Sequence, residues 1–375
     1  MAYAVNDTIS TSEYNGLLTN TDTAGTPPAF GINHIFGTGS TSGAGIVYGL
    51  GQTALTTSVS VTDNITAAQW NSLFTAMDNV ANHTNDALTS TTAKSAGDTI
   101  AIISALTTDL NTLAASVAAG SPNTTALTTT AALQTTSSST ATGGGSKNYW
   151  NGSHVVEHTV TFTNANQARW FFNAGGQILI NVTRTAGASS FDSTLGGATS
   201  KDQSMDELIT GLGTFALKSQ TSNKTGDTED STSSDFTKGF YDLTTSYQTI
   251  CKVTQNSGTY SANMYIEIEA KANAAVSGGT ATVVTIKTSL VDSDLGDSTY
   301  DSTNPRANFA GAAIGGGQGA FENFVGTTNV ILKTNNPNTD EGLATVYAPS
   351  ATAAGSNVVT NYEYVGATSS PTIVP

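Results

Sequence analysis

Met264-Tyr-Ile-Glu-Ile-Glu-Ala270 sets Met264, Ile266 and Ile268 against Tyr265, Glu267 and Glu269, one residue in two. Successive side chains of a strand point to opposite faces, so the run reads as a strand with one apolar and one polar side. The same reading applies on either side of it. Residues 154–162 place Val156, His158, Val160 and Phe162 on one face, and residues 177–182, 247–253, 281–290, 329–332, 344–347 and 358–364 are further strand candidates. In 247–253, Cys251 alternates with Thr249 and Val253 and reads as a small core residue. Long Gly-, Ser- and Asp-bearing loops intervene, notably 219–236 and 289–318. Strands of this length between such loops predict an antiparallel, jelly-roll-like β-sandwich over residues 148–375. One short helix interrupts it. Asn164 and Gln167 form its start, Ala168, Trp170, Phe171 and Phe172 its apolar content, and Gly175-Gly176 its end. Trp170, Phe171 and Phe172 are expected to anchor the core, although three successive aromatics cannot all face one way.

Upstream, residues 120–147 are low in complexity (Thr128-Thr-Thr, Ser137-Ser-Ser-Thr, Gly143-Gly-Gly-Ser146) and read as a linker or extended arm. Residues 63–119 read as a two-helix segment. Thr66-Ala-Ala-Gln69 fits a capping box, followed by a stripe of Trp70, Leu73, Phe74, Met77, Val80 and Ala81. Trp70 and Phe74 are its expected core residues, and His83 is expected to be solvated or to cap the helix end. The second helix, 97–118, spaces Ile103, Leu106, Leu110, Leu113 and Val117 by three and four, a short a/d seam. That seam fits either an intramolecular pair with the first helix or an intersubunit bundle. Residues 1–62 show no helical period and read as an irregular attachment arm. The overall expectation is a mainly β chain with an N-terminal helical segment.

Composition narrows the function classes. Charged residues are 11% of the chain, against about 25% in ordinary globular proteins, so hydroxyls and amides build the polar surface. Thirteen basic against 28 acidic residues give a net charge of -15, which repels phosphate backbones and argues against a nucleic-acid partner. No stretch approaches 18 apolar residues, so no membrane insertion is expected, and the first residues do not resemble a signal peptide. Cys251 is the single cysteine, which leaves no intramolecular disulfide.

The chemistry-bearing motifs are sparse. His154 and His158 share a strand face about 13 Å apart, too far for one metal ion. Gly315-Gly-Gly-Gln-Gly319 lacks the lysine of a phosphate loop. Asp292, Asp294, Asp297 and Asp301 surround a glycine and form a candidate calcium loop, although the EF-hand spacing is absent. Asp227, Glu229 and Asp230 form a similar acidic loop. No catalytic residue, cofactor or metal site is assigned, and no enzymatic activity is expected.

Met1-Ala-Tyr-Ala-Val-Asn-Asp-Thr-Ile9, Thr66-Ala-Ala-Gln-Trp-Asn-Ser-Leu73, Asn79-Val-Ala-Asn-His-Thr84, Ala168-Arg-Trp-Phe-Phe-Asn-Ala-Gly-Gly-Gln-Ile178 and Asp242-Leu-Thr-Thr-Ser-Tyr-Gln-Thr-Ile250 resemble virion structural proteins of marine tailed bacteriophages, the tail-fibre-like proteins of cyanophages above all. The resemblance implies a virion component of the tail or baseplate that is made in the host cytoplasm and contributes to host attachment. It implies a homo-oligomer, a trimer by preference, in contact with other virion proteins and with host surface glycan. A capsid decoration, a neck or collar protein, and a glycan-binding adhesin module are the alternatives.

Overall fold

The computed structural model describes residues 10–19, 31–39, 49–55, 59–60, 63–98, 103–118, 127–129, 133–138, 149–150, 153–185, 201–218, 223–225, 232–234, 243–255, 264–275, 280–292, 324–325, 327–337, 342–354, 361–363 and 372–374. In chain order these carry helices α1 (Thr11–Thr19), α2 (Ile32–Ile35), α3 (Ala67–Thr84) and α4 (Ile103–Ala118), then strands β1 (Leu127–Thr129), β2 (Leu133–Ser138), β3 (Tyr149–Trp150) and β4 (Ser153–Thr161). Next come α5 (Ala165–Asn173), β5 (Gln177–Thr185), α6 (Lys201–Leu212), β6 (Thr214–Leu217), β7 (Asn223–Thr225), β8 (Thr232–Ser234), β9 (Gln248–Gln255), β10 (Met264–Ala272) and β11 (Val283–Asp292). The last strands are β12 (Phe324–Val325), β13 (Thr327–Pro337), β14 (Ser350–Ala354), β15 (Asn361–Glu363) and β16 (Thr372–Val374).

Two six-stranded antiparallel sheets dominate. The first runs β1-β13-β5-β6-β7, with β2 also on β13; the second runs β14-β4-β11-β10-β9-β8. One buried cluster draws Val156, Val160, Ile266, Ile268 and Ile286 from the second sheet, Ile178, Ile180, Val330 and Leu332 from the first, and Met205, Leu208 and Leu212 from α6. Each such side chain removed from water is worth about 1.5–3 kcal/mol. With six helices beside the sheets among the described residues, the chain is mixed α/β rather than mainly β.

Residues 120–147 include more than a linker. β1 and β2 lie end to end along one edge of β13, with Leu133–Ser138 paired to 327–332. A run of threonines is β-branched and suits a pleated edge strand as well as a solvated linker, and composition alone does not separate the two.

Residues 1–62 are likewise more than an arm. In α1, Tyr14, Leu17 and Leu18 are buried at helical spacing. They join Ile32, Ile35, Phe36 and Leu50 in a second cluster with Trp70, Leu73, Phe74 and Met77. The Tyr14 ring stands edge-on to Trp70 at 5.1 Å, and its hydroxyl donates to the Gln69 carbonyl. The capping box on α3 forms as expected, Gln69 N–H donating to Thr66 Oγ1 and Thr66 N–H to Gln69 Oε1. Leu106, Leu110, Leu113 and Val117 are buried within this one chain, where α4 packs on α3. Of the two seam readings, the intramolecular pair accounts for them, and the seam gives no argument for an oligomer. Ile103 is the first residue of α4, and its side chain lies outside the described residues.

A recurrent device holds the extended segments to these helices. Asn15, Asn33 and Asn71 each pair their amide with both backbone groups of one passing residue. Asn15 takes the N–H and C=O of Val59 at 2.9 and 2.9 Å, Asn33 those of Leu55 at 2.8 and 2.8 Å, and Asn71 those of Lys94 at 2.8 and 2.9 Å. A primary amide carries a donor and an acceptor side by side, so it replaces one rung of a sheet ladder.

Gln52 does the same across the whole chain. It receives the Thr345 N–H at 2.9 Å and donates to the Thr345 and Leu50 carbonyls at 2.8 Å each. Residues 344–347, expected as a strand, are therefore a strap over the helical unit with its hydrogen bonds met by a side chain. Leu343 enters the helical cluster, Tyr347 donates to the Gly51 carbonyl at 2.7 Å, and Tyr347 packs on Trp170 at 4.9 Å. α5 adds Trp170 Nε1 to the Thr38 carbonyl and Asn173 Nδ2 to the Gly49 carbonyl. His83, buried rather than solvated, places Nε2 2.9 Å from the Ala174 carbonyl. The helical unit and the sheets are thus fastened together along one joint.

Candidate contact face

The strand quoted at the outset is the middle of the candidate site. β10 buries Met264, Ile266, Ile268 and Ala270 and turns Tyr265, Glu267, Glu269 and Lys271 to the opposite side of the sheet. Register then decides what stands beside them. Lys287 on β11 faces Glu269 on one side and Glu157 of β4 on the other, and Glu267 faces Lys252 of β9. Opposite charges on directly paired residues stabilise a sheet by about 0.2–1 kcal/mol a pair.

A bulge completes the face. The register of β9 on β10 shifts between Ile268 and Glu269, which leaves Ile250 and Cys251 buried in succession. The extra residue reverses the alternation, so Thr249 is exposed beside Lys252 and Thr254 rather than buried with Cys251 and Val253. The expectation that Thr249 shares the Cys251 face fails for this reason.

The side chains on this face satisfy one another. Lys287 Nζ lies 2.5 Å from Glu269 Oε2. Thr249 donates to Glu267 Oε1 at 2.7 Å, and the Tyr247 hydroxyl donates to Glu157 Oε1. Lys271 and Lys287 stand over the Tyr247 ring at 4.2 and 4.5 Å, and Lys252 over Tyr265 at 4.1 Å. Burial, then the hydrogen bond to Glu157 and the charges of Glu157 and Glu269, push the Tyr247 hydroxyl well above its ordinary value. Burial and the charges of Glu267 and Glu269 raise Tyr265 in the same direction. Both phenols are neutral across the physiological range.

Other chemistry-bearing side chains go elsewhere. His154 and His158 are fully buried on the core face of β4. Burial alone lowers His158 to about 4, so the ring is neutral at pH 7. Asp109, buried on α4, accepts from the backbone N–H groups of Thr89 and Ser90 at 3.1 Å each and fixes that loop. Cys251 lies in the core. Phe171 is fully buried against Phe162 at 5.4 Å, Phe172 packs beside it, and Trp170 turns the other way to the joint. Asp292 is the last residue of β11; Asp294, Asp297 and Asp301 lie outside the described residues, as do Asp227, Glu229 and Asp230 and the glycines from Gly315 to Gly319. Among the described residues no three His, Cys, Asp or Glu side chains come together to hold a metal ion, and no helix is long and apolar enough to cross a membrane.

No family model, curated protein or solved structure matches this chain. The face itself is therefore what speaks for function. It carries three lysines and three glutamates, which cancel, so the chain's whole net charge of -15 lies elsewhere. Sequence reasoning found Tyr265, Glu267 and Glu269 through their alternation. It missed Glu157, Lys252, Lys271, Lys287 and Tyr247, which assemble only through register and the bulge.

Proposed function

We propose that this chain is a structural component of a tailed-phage virion, a tail-fibre or baseplate-associated protein that contributes to host attachment and self-associates within the particle. The observation that carries the reading is the use made of reactive side chains. His83 fastens a joint, His154, His158 and Cys251 fill a core, and Asp109 holds a loop. What the β10 face turns outward is threonine and tyrosine among lysines and glutamates that pair with one another, the surface of a scaffold. The segments resembling cyanophage tail-fibre-like proteins supply the particle. In the same reading the two sheets are the halves of a jelly-roll-like sandwich. A buried cluster drawn from both, and the packing of edge strand β14 beside β2, support that closure.

The test is immunogold electron microscopy of purified virions with antibody raised against the chain. Label on the tail or baseplate is the expected result. Label on the head or neck moves the chain to the decoration or collar reading, and unlabelled particles overturn the virion role.

A further inference from the structure

We infer that the outer face of β4, β11, β10 and β9 is a self-complementary contact on which a second copy of this chain docks face to face. The inference rests on the self-association proposed above, sets a two-fold pair in place of the trimer that the resemblance implies, and does not rest on the place in the virion. A body carrying -15 repels its own copies, and the repulsion is least where charge cancels locally. On this face it cancels over three rungs: Glu157–Lys287–Glu269 carries -1, Glu267–Lys252 carries none, and Lys271, opposite Thr285, carries +1. The sign changes along β10 between Glu269 and Lys271, and a two-fold axis between them sets each opposite the other in the second copy, with unlike charges opposed.

The charges are also held in place before any partner arrives. Lys287 and Glu269 are only 25% and 19% exposed and already ion-paired, so docking immobilises little and removes little further water from them. Other occupants fit worse. A saccharide stacks on a bare ring face, whereas lysine ammonium groups stand over both tyrosine rings. A nucleic acid needs a positive face, and this one sums to zero. The two half-buried tyrosines are the residue type that protein interfaces favour.

The experiment has two arms on the full chain. In sedimentation velocity the wild type should run as two subunits. A variant with Lys252→Glu, Lys271→Glu and Lys287→Glu, and one with Glu157→Lys, Glu267→Lys and Glu269→Lys, should each run as monomers and recover the two-subunit species when mixed in equal amounts. If either charge-reversed chain fails to fold, the second arm decides alone. Maleimide alkylation of Thr249→Cys should slow several-fold when the protein is concentrated through its association range, while Thr75→Cys, on the exposed side of α3, should keep one rate. A wild-type monomer, or an oligomer in which Thr249→Cys is alkylated at one rate throughout, overturns the inference. The second outcome leaves self-association intact and moves it to another surface, and neither outcome bears on the virion labelling.

Discussion

His158 is an imidazole with no hydrogen-bond partner for either ring nitrogen, fully buried between Ile286 of β11 and Ala353 of β14 in the register. Its folded-state value of about 4 lies below the ordinary 6.5 of the unfolded chain, so unfolding takes up a proton between those limits. The neutral ring's contribution is complete above pH 6.5 and is lost as pH falls from 6.5 towards 4, about 3 kcal/mol in all. Thermal melts across that window should therefore steepen in the acid direction, and His158→Leu should flatten the slope whatever its effect at pH 7. His34, also lowered by burial, contributes a part that the variant leaves in place. The aromatic triplet divides at the same scale. Phe171→Ala should cost about 3–5 kcal/mol in denaturant unfolding, because it empties a site with no exposed surface. Trp170→Ala should cost less, since half-buried Trp170 loses its contacts to Tyr347 and the Thr38 carbonyl at the joint.

Among the elements, the strap at residues 342–347 depends on Gln52 and on two glycines at positive φ. A Cβ on Gly51 would come within 2.5 Å of both Trp170 and Tyr347, and one on Gly342 would collide with the backbone of Asn79. Gln52→Glu keeps the acceptor and removes both donated bonds, so it should destabilise by about 1–3 kcal/mol, read as a lowered denaturation midpoint. Gly342→Ala should act in the same direction. Elements also show what the sequence could reveal. β10 was legible because it alternates without a break, β4 and β11 because apolar residues recur at every second position through most of each, and α3 because its cap and stripe agree. α1 was hidden by its length, since Tyr14, Leu17 and Leu18 make one turn of stripe in nine residues. β2 was hidden because Leu133-Gln-Thr-Thr-Ser-Ser138 has the composition of a linker. The strap was hidden because its pairing partner is a glutamine 293 residues away, and no local period records such a bond.

At the scale of the whole molecule, the joint ties the helical unit to the sheets through Gln52, His83, Trp170 and Tyr347. A chain cut to 147–375 loses the β1–β2 edge of β13 and the cover over Trp170, Ala174 and Leu343. Such a fragment is therefore expected to lose stability. The full chain should melt in a single transition, with tryptophan fluorescence and far-ultraviolet circular dichroism coincident, and the fragment should melt well below it. Two separated transitions in the intact chain would show that the joint is weak. The candidate contact face was legible in one strand of four, because a binding face made of cross-strand neighbours exists only once register is set. The amide clamps of Asn15, Asn33, Asn71 and Gln52 have a last consequence. They carry no formal charge, so dissolved ions have nothing in them to screen. The joint and the strap that these clamps hold should therefore stay closed from dilute buffer to brine, while a pairing of copies through rungs of lysine and glutamate should weaken over the same range. One salt series would then loosen the assembly and leave the clamped segments as they were.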